Sequence, residues 1–368
     1  MGLPRKNSAD WKRISKIAEI LTKNGHEVQF AFYVMKKLCE KNRNIIKDND
    51  FPYNYDVITY KYPFILPIKQ LLLTIKGKYN LVYCNLHGTP SISILNKFVG
   101  IPLIFDMHGD PISENELLNS NLSELKKYYL KFINFLDLHI SNKIFCVSSK
   151  MIEETSKKGI SKDKLVYITN GVELKYFRQL QKYKKNREII GFTNELIFGY
   201  IGAFQKWQGI ENFIKAAKTM NDKYTKFLIV GGNNSSATHN LIIISQVSNK
   251  EIINYYSICD IFVLPRPYHN ATNVAAPTKF AEYCAMGKPI LTTDVGDAAY
   301  LVKKYKCGVV VENNNPENLI DGFNRFKKMS KEDLKIMGRN ARKLAEEEFD
   351  WDKISARLLE TIELYLKD

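Results

Sequence analysis

Lys279 and Glu282 lie three residues apart in the run Ala276-Pro277-Thr278-Lys279-Phe280-Ala281-Glu282-Tyr283-Cys284-Ala285-Met286-Gly287-Lys288-Pro289. In a helix that spacing sets a cation and a carboxylate on one face near the helix start, where both can meet one ligand, and Gly-Lys-Pro then ends the helix and launches a strand. A surface ion pair of the same spacing would contribute little. Three more segments follow apolar, strand-like runs. Asp106-Met107-His108-Gly109 places an imidazole at a strand end, where it can donate to a hydroxyl or a phosphate near neutral pH. Gly202-Ala203-Phe204-Gln205-Lys206-Trp207-Gln208-Gly209 can bring backbone N–H groups and a helix N-terminus to phosphates, although no Gly-Lys-Ser/Thr follows to make it a Walker loop. Thr169-Asn170-Gly171-Val172 reads as a tight turn with positive φ.

These residues act together only if strands carry them to a common edge. Apolar runs recur at Glu27 to Val34, Asp56 to Tyr60, Leu81 to Cys84, Ile101 to Phe105, Lys143 to Val147 and Leu165 to Thr169, with helical stretches between them. After the polar segment Gln179 to Glu188 the alternation restarts at Leu196 to Ile201, Thr225 to Val230, Leu241 to Ile244, Asp260 to Leu264, Pro289 to Thr293 and Gly308 to Val311. Strand and helix in alternation imply two parallel, helix-covered sheets, one for each half of the chain. In such sheets ligands bind at the carboxyl ends of strands, which is where the four segments fall.

The chain's 368 residues allow two cores of ordinary size. Hydrophobic residues at 45% and charged residues at 25% exclude global disorder. The longest apolar run, Phe64 to Ile75, follows Pro63 and is interrupted by Pro67 and Lys69, so no transmembrane helix is expected, and the charged Trp11 to Lys23 segment does not support a secretory signal. A cytoplasmic location follows as the expectation. The six cysteines, Cys39, Cys84, Cys146, Cys259, Cys284 and Cys307, are scattered, which favours reduced core thiols over disulfides or zinc. Net charge is +15, with 27 Lys and Arg against 17 Asp and Glu in residues 1–178 and 27 against 22 in the remainder. Such a field suits an anionic membrane face or a phosphate-bearing partner, and a compositional bias toward Lys explains it equally well. The basic residues do not gather into a nucleic-acid-reading helix or aromatic patch, so nucleic acid is not expected as a partner. Residues 10–23 read as an amphipathic helix with no strand before it, although a doubly wound domain opens with its central strand. The expectation is therefore a natural start upstream of Met1, or else a domain that manages with one strand fewer.

Together the segments resemble the group 1 family of retaining GT-B glycosyltransferases. Asn24-Gly25-His26-Glu27-Val28 looks like that family's entry to its second strand, His108-Gly109 its first-domain His loop, and Asn170-Gly171-Val172 with Phe177 its domain-end signature. Tyr255-Tyr256 through Asp260 to Pro265 is similar to the approach to its donor site, and Phe349-Asp350-Trp351 to the segment that crosses back onto the first domain. Pro277-x-Lys279-x-x-Glu282-Tyr283 with Gly287-Lys288-Pro289 is the most specific match. The resemblance implies an α/β fold of the GT-B type, two Rossmann-like doubly wound domains facing a central cleft. These would be residues 1–185 on the acceptor side, 186–349 binding the nucleotide-sugar, and a helix at 350–368 crossing back.

The activity implied is that of a hexosyltransferase-type enzyme. It would move a sugar with retention from an NDP-sugar to a glycan or lipid-linked acceptor in cell-surface or polysaccharide biosynthesis, without a metal or other cofactor. His108 would be catalytic, and Gly202, Lys206, Arg266, Asn273, Lys279 and Glu282 would bind the donor, Glu282 at the ribose diol. The chain departs from the family pattern at three positions. Val274 stands where a first carboxylate is usual, leaving Asn273 and His269 as the nearest polar residues, and Ala203 and Gln208 replace an Arg and a Lys that anchor phosphate. Lys206, Lys279 and Arg266 are the candidates to take over that charge. Two alternatives remain open at this point: a GT-B-like nucleotide-binding scaffold without turnover, motivated by these departures and the absent first strand, and a sugar-nucleotide epimerase.

Overall fold

Helix α1 (Ala9–Lys23) forms because Ile14, Ile17, Ala18 and Leu21 recur at helical spacing, and it closes at Gly25, whose φ of 86° is open to glycine. The computed structural model describes residues 9–36, 53–118, 122–177, 187–188, 191–192, 194–220, 222–232 and 234–366. Most of the segment Gln179 to Glu188, read as the junction between the halves, lies outside the described residues, as does Cys39.

The N-terminal half continues through strands β1 (Gln29–Met35) and β2 (Asn54–Tyr60), helix α2 (Leu66–Lys76), strands β3 (Val82–Cys84) and β4 (Leu103–Met107), helices α3 (Pro111–Leu118) and α4 (Glu124–Ile140), strand β5 (Lys143–Cys146), helix α5 (Ser149–Lys157) and strand β6 (Leu165–Tyr167). The expectation of one sheet for this half is corrected. Parallel strands β3-β4-β5-β6 form one sheet and parallel β1-β2 another, and among the described residues no ladder joins them.

The C-terminal half contains β7 (Leu196–Ile201), α6 (Ile210–Thr219), β8 (Thr225–Gly232), β9 (Ser236–Ala237), β10 (Leu241–Ser245), α7 (Asn249–Ile258), β11 (Ile261–Leu264), α8 (Asn270–Val274), α9 (Thr278–Ala285), β12 (Ile290–Thr293), α10 (Gly296–Tyr305), β13 (Gly308–Val311), α11 (Pro316–Lys327) and α12 (Lys331–Leu344). Its sheet has the order β13-β12-β11-β7-β8-β10-β9, parallel except for the short edge strand β9. Both faces are covered, one by a cluster around Phe198, Phe213, Phe227 and Phe323 and the other by Phe262, Tyr283 and Cys284, so the strands read as continuous apolar runs. The chain is an α/β protein of two Rossmann-like domains, the arrangement that the resemblance implies.

Helix α13 (Trp351–Glu363) then returns to the first domain, where Trp351, Ile354, Leu358 and Ile362 pack with Ile17 and Ile20 of α1. Gly171 was read as a positive-φ turn residue, and this is corrected: it does not adopt positive φ. Its missing side chain serves Trp351 instead, since a Cβ there would lie 2.5 Å from the indole. The described cysteines, Cys84, Cys146, Cys259, Cys284 and Cys307, are buried and unpaired. Among the described residues no helix is long and apolar enough to cross a membrane.

Candidate functional site

The carboxyl ends of β7 and β11 set the frame of the second domain's site. β7 runs into Gly202, whose N–H is used on Val230 O at 2.9 Å and whose φ of 152° lies in the glycine region. A Cβ at Gly202 would come within 2.6 Å of Lys279 Nζ, so glycine here leaves the space that the lysine fills. Helix α9 places Lys279 and Tyr283 one turn apart, both turned inward. The Tyr283 hydroxyl accepts from Ile201 N–H at 2.9 Å, pinning the helix to the end of β7, and its ring stacks on Phe262 at 4.3 Å.

Lys279 is buried, at 9% exposure. Its ammonium donates to the Tyr200 hydroxyl and to Gln208 Oε1 at 3.0 Å, and it lies 4.3 Å from the centroid of the Tyr200 ring. Arg266, two residues beyond β11, is buried as well; its Nη1 donates to Thr272 O at 3.4 Å, whereas its Nε is buried without a hydrogen-bond partner. Neither cation has a carboxylate in ion-pair range among the described residues. Burial and the nearby Arg266 charge bring the Lys279 pKa down to about 7, and burial brings Arg266 down to about 10. Two desolvated cations without counter-ions are costly unless an anion joins them. A nearby carboxylate is held in place, since the Tyr256 hydroxyl of α7 donates to Glu282 Oε2 and leaves the other oxygen available to a ligand.

The remaining sequence-derived candidates are placed differently. Lys206 is exposed at the start of a 3₁₀ turn (Lys206–Gln208) and makes no polar contact with Lys279 or Arg266. Gln208, in place of a phosphate-anchoring lysine, is buried and holds Lys279. The Asn273 amide oxygen accepts from Gly296 N–H at 3.0 Å, capping α10, and His269 Nδ1 accepts from Ala271 N–H at 3.2 Å, capping α8. Both acceptors are therefore engaged locally, while the Asn273 NH₂ remains for a ligand. Val274, where the resemblance placed a carboxylate, is buried among Phe105, Met107 and Met151 of the first domain, an environment that an ionised side chain would destabilise.

In the first domain, β4 ends at Met107 and His108 follows. Its Nε2 donates to Asp106 at 3.0 Å, and its Nδ1 lies 3.4 Å from Asp10. Asp106 is fully buried and held bidentately by Arg13, with Nε and Nη2 at 2.9 and 2.7 Å, and Arg13 also donates to the Ile168 and Thr169 carbonyls at 2.8 Å each. Burial alone would lower the His108 pKa, but the two carboxylates raise it to about 9. His108 is thus an imidazolium at neutral pH, a hydrogen-bond donor and a positive charge rather than a base. The sequence reading missed Arg13, Asp10 and Tyr200. Arg13 carried a signal, a basic residue in helical register with the buried Ile17 and Ile20; Asp10 and Tyr200 carried none.

The two clusters belong to facing edges of one molecule. Helix α8 packs against α3 and α5, so the loop after β11 meets the loop after β4. The seam is hydrogen-bonded: Ser148 Oγ donates to Val274 O at 2.5 Å, Asn170 Nδ2 to Ala276 O at 2.7 Å, and the Ser149 and Lys150 N–H groups to Asp297 at 2.6 and 3.1 Å.

Comparison with known proteins matches residues 182–344 to the model of "Glycosyl transferases group 1" and residues 12–176 to "Glycosyltransferase Family 4". An uncharacterised glycosyltransferase of Methanocaldococcus jannaschii is 24% identical across 95% of this chain and 92% of its own length. The capsular polysaccharide biosynthesis glycosyltransferase CapM of Staphylococcus aureus is 23% identical across 66% of this chain and 67% of its own. Among solved structures, Anabaena HepE in complex with UDP superposes with a TM-score of 0.75 at 16% identity, covering 98% of each chain, and HepE is also known in complex with UDP-glucose.

Proposed function

The chain belongs to the glycosyl transferases of group 1, and from that premise we propose that it is a hexosyltransferase moving a sugar, with retention, from a nucleoside-diphosphate sugar to a glycan or lipid-linked acceptor in polysaccharide biosynthesis. The observation that carries this reading is the pair of buried cations without counter-ions, Lys279 and Arg266, beside the free oxygen of Glu282. A diphosphate matches the first two and a ribose diol the third. The role of CapM in capsule biosynthesis and the UDP bound by HepE support the same assignment.

In this mechanism the diphosphate lies against Lys279 and Arg266, which stabilise the charge that builds on it as the glycosidic bond breaks. They supply what a divalent ion would otherwise contribute, so the proposed reaction needs no metal. Glu282, steadied by Tyr256, orients the ribose. His108, charged and oriented by Asp106 through Nε2, presents its positive charge to the donor sugar or its phosphate from the facing domain, and its Nδ1–H donates there in exchange for the long contact to Asp10. The sugar carries developing positive charge beside the departing diphosphate, and the acceptor approaches from the N-terminal domain.

Titration of UDP and GDP without metal, into wild type and Glu282→Ala, tests the donor site. One nucleotide is expected to bind, and the variant to weaken it about ten- to a hundredfold through loss of charge-assisted hydrogen bonds. In donor hydrolysis, His108→Ala is expected to lower kcat by about a hundredfold or more. Nucleotide binding without turnover under varied acceptors would transfer the assignment to a scaffold.

A lipid-linked acceptor is supported by one surface of the first domain. Leu125, Tyr128, Tyr129, Phe132 and Phe135 are exposed along α4 beside Lys126 and Lys131, and Phe64, Ile68, Leu72 and Ile75 are exposed on and before α2. Short helical turns at 89–98 pack against both helices and expose Phe98. Apolar side chains among lysines fit the boundary of an anionic bilayer. Cosedimentation with phosphatidylglycerol vesicles is expected, with little on phosphatidylcholine alone, and Phe132→Asp with Phe64→Asp should abolish it. Equal recovery on both lipids would remove the electrostatic part of this reading.

A further inference from the structure

Around the end of β4 the acidic side chains are paired, with one exception. Asp106 is held by Arg13 and His108, Asp10 lies against His108, and Asp110 takes Lys158 Nζ at 2.7 Å and the Ser113 N–H at 2.9 Å, which starts helix α3. Glu114, in the first turn of that helix, makes no hydrogen bond or ion pair among the described residues.

Backbone, not a partner, sets its place. The carboxylate lies over Gly109, where a Cβ would overlap Oε1, and Gly109 O is fixed at 2.8 Å by His87 Nε2 of the loop after β3. Glycine directly after His108 therefore leaves the room that this carboxylate occupies. Solvent reaches Glu114, yet protein surrounds it closely enough that burial raises its pKa, the condition of a group on a concave wall. The second domain supplies the facing wall, because α3 packs against α8, the helix between Arg266 and Lys279 in the chain.

A carboxylate held partly out of water without a donor is costly, and only N–H and O–H groups satisfy it. The charges around it select among ligands. Arg13 offsets Asp106 and Lys158 offsets Asp110, which leaves Asp10 and Glu114 against the single charge of His108. This wall is thus anionic on balance, where the Lys279 and Arg266 wall is cationic. A phosphate or carboxylate would be repelled here, whereas sugar hydroxyls donate to a carboxylate without that cost.

We propose that Glu114 binds the acceptor, accepting hydrogen bonds from hydroxyl groups of a sugar whose reacting end carries no negative charge. The inference rests on the transferase reading and adds to it the chemical class of the acceptor.

Ligand-observed NMR on the full chain, saturated with whichever of UDP and GDP it binds, tests this. The probes are the p-nitrophenyl β-glycosides of glucose, galactose and N-acetylglucosamine, and p-nitrophenyl β-glucuronide as the anionic counterpart. At least one neutral glycoside is expected to bind wild type, at least about tenfold more tightly than the glucuronide. Glu114→Gln should weaken the neutral glycoside about tenfold and bring the glucuronide to within about twofold of it, because the lost charge both attracted the one and repelled the other. A merely structural role for Glu114 would not reverse that preference. Nucleotide affinity, which rests on the other domain, should be the same in both proteins, and a fall in the variant would assign Glu114 to the scaffold and overturn the proposal. So would unchanged binding of the neutral glycoside by the variant, glucuronide binding as tightly as the neutral probes in wild type, or no glycoside binding at all. Intact nucleotide binding beside any of these last three results fails this inference alone, whereas wild type that takes up neither UDP nor GDP fails the transferase reading beneath it.

Discussion

Lys279→Met is expected to weaken nucleoside-diphosphate binding about a hundredfold, with Arg266→Met close behind. Each removes one partner of a desolvated charge pair that forms only in the complex, an effect of about 2 to 5 kcal/mol. The pH dependence gives a second readout. With Lys279 at about 7 in the free protein, the ammonium that receives the diphosphate is fully present only below that pH. The bound anion raises the lysine again, so binding takes up close to one proton between pH 7 and the higher value reached in the complex, and wild-type affinity falls as pH rises through that window. Calorimetry at pH 6.5 and 8.5, in buffers of different ionisation enthalpy, measures both affinity and proton uptake. The methionine variant should be weak and nearly flat across the range. Equal wild-type affinity at both pH values, without proton uptake, would show that Lys279 does not receive the phosphates. The same burial acts oppositely on stability: a lysine depressed in the folded state binds fewer protons there than unfolded, so its contribution becomes more favourable as pH rises from about 7 toward its ordinary value near 10.4.

The largest loss of stability is expected from Asp106→Asn. The substitution leaves Arg13, at 2% exposure, without its carboxylate, and breaking one partner of a buried pair costs about 3 to 5 kcal/mol. Differential scanning calorimetry should show the first domain melting roughly 10 °C lower. Replacing both partners, as Arg13→Met with Asp106→Leu, should recover much of that loss, since no isolated charge remains. The asparagine variant also removes the main charge that raises His108, so its imidazole titration, followed by NMR, should move from about 9 toward 6.5. An unchanged titration would show that Asp10 alone sustains the imidazolium. UDP binding by the second domain should survive in both variants, separating the collapse of this network from loss of the donor site.

These two networks differ in how far they could be read from the chain. Lys279, Glu282 and Tyr283 lie within one helical turn, so their relative placement follows from the 3.6-residue period and the Gly-Lys-Pro stop. The twelve apolar runs announced their strands, because a parallel strand covered on both faces must be apolar throughout. Arg13 and Asp106 are 93 residues apart, and no local period relates them. The same holds for Gln208, which by type suggests a lost phosphate contact and by position is the prop beneath Lys279. Val274 looked like the loss of the family's first carboxylate and is a buried contact between domains. Gly171 looked like a turn and is a flat seat for an indole.

By itself, then, the sequence determined the alternation of strands and helices, the two-domain plan, and the strand ends at which the candidate site residues fall. All of these rest on periodicity and on residue types within a few positions of one another. Only the tertiary structure decided the charge state of Lys279 and His108, the exclusion of Lys206 from the cluster, and the division of the first half's described strands between two sheets. Those depend on desolvation and on partners brought together across the chain, and a pKa or an open sheet edge is a property of the assembled surroundings rather than of any segment.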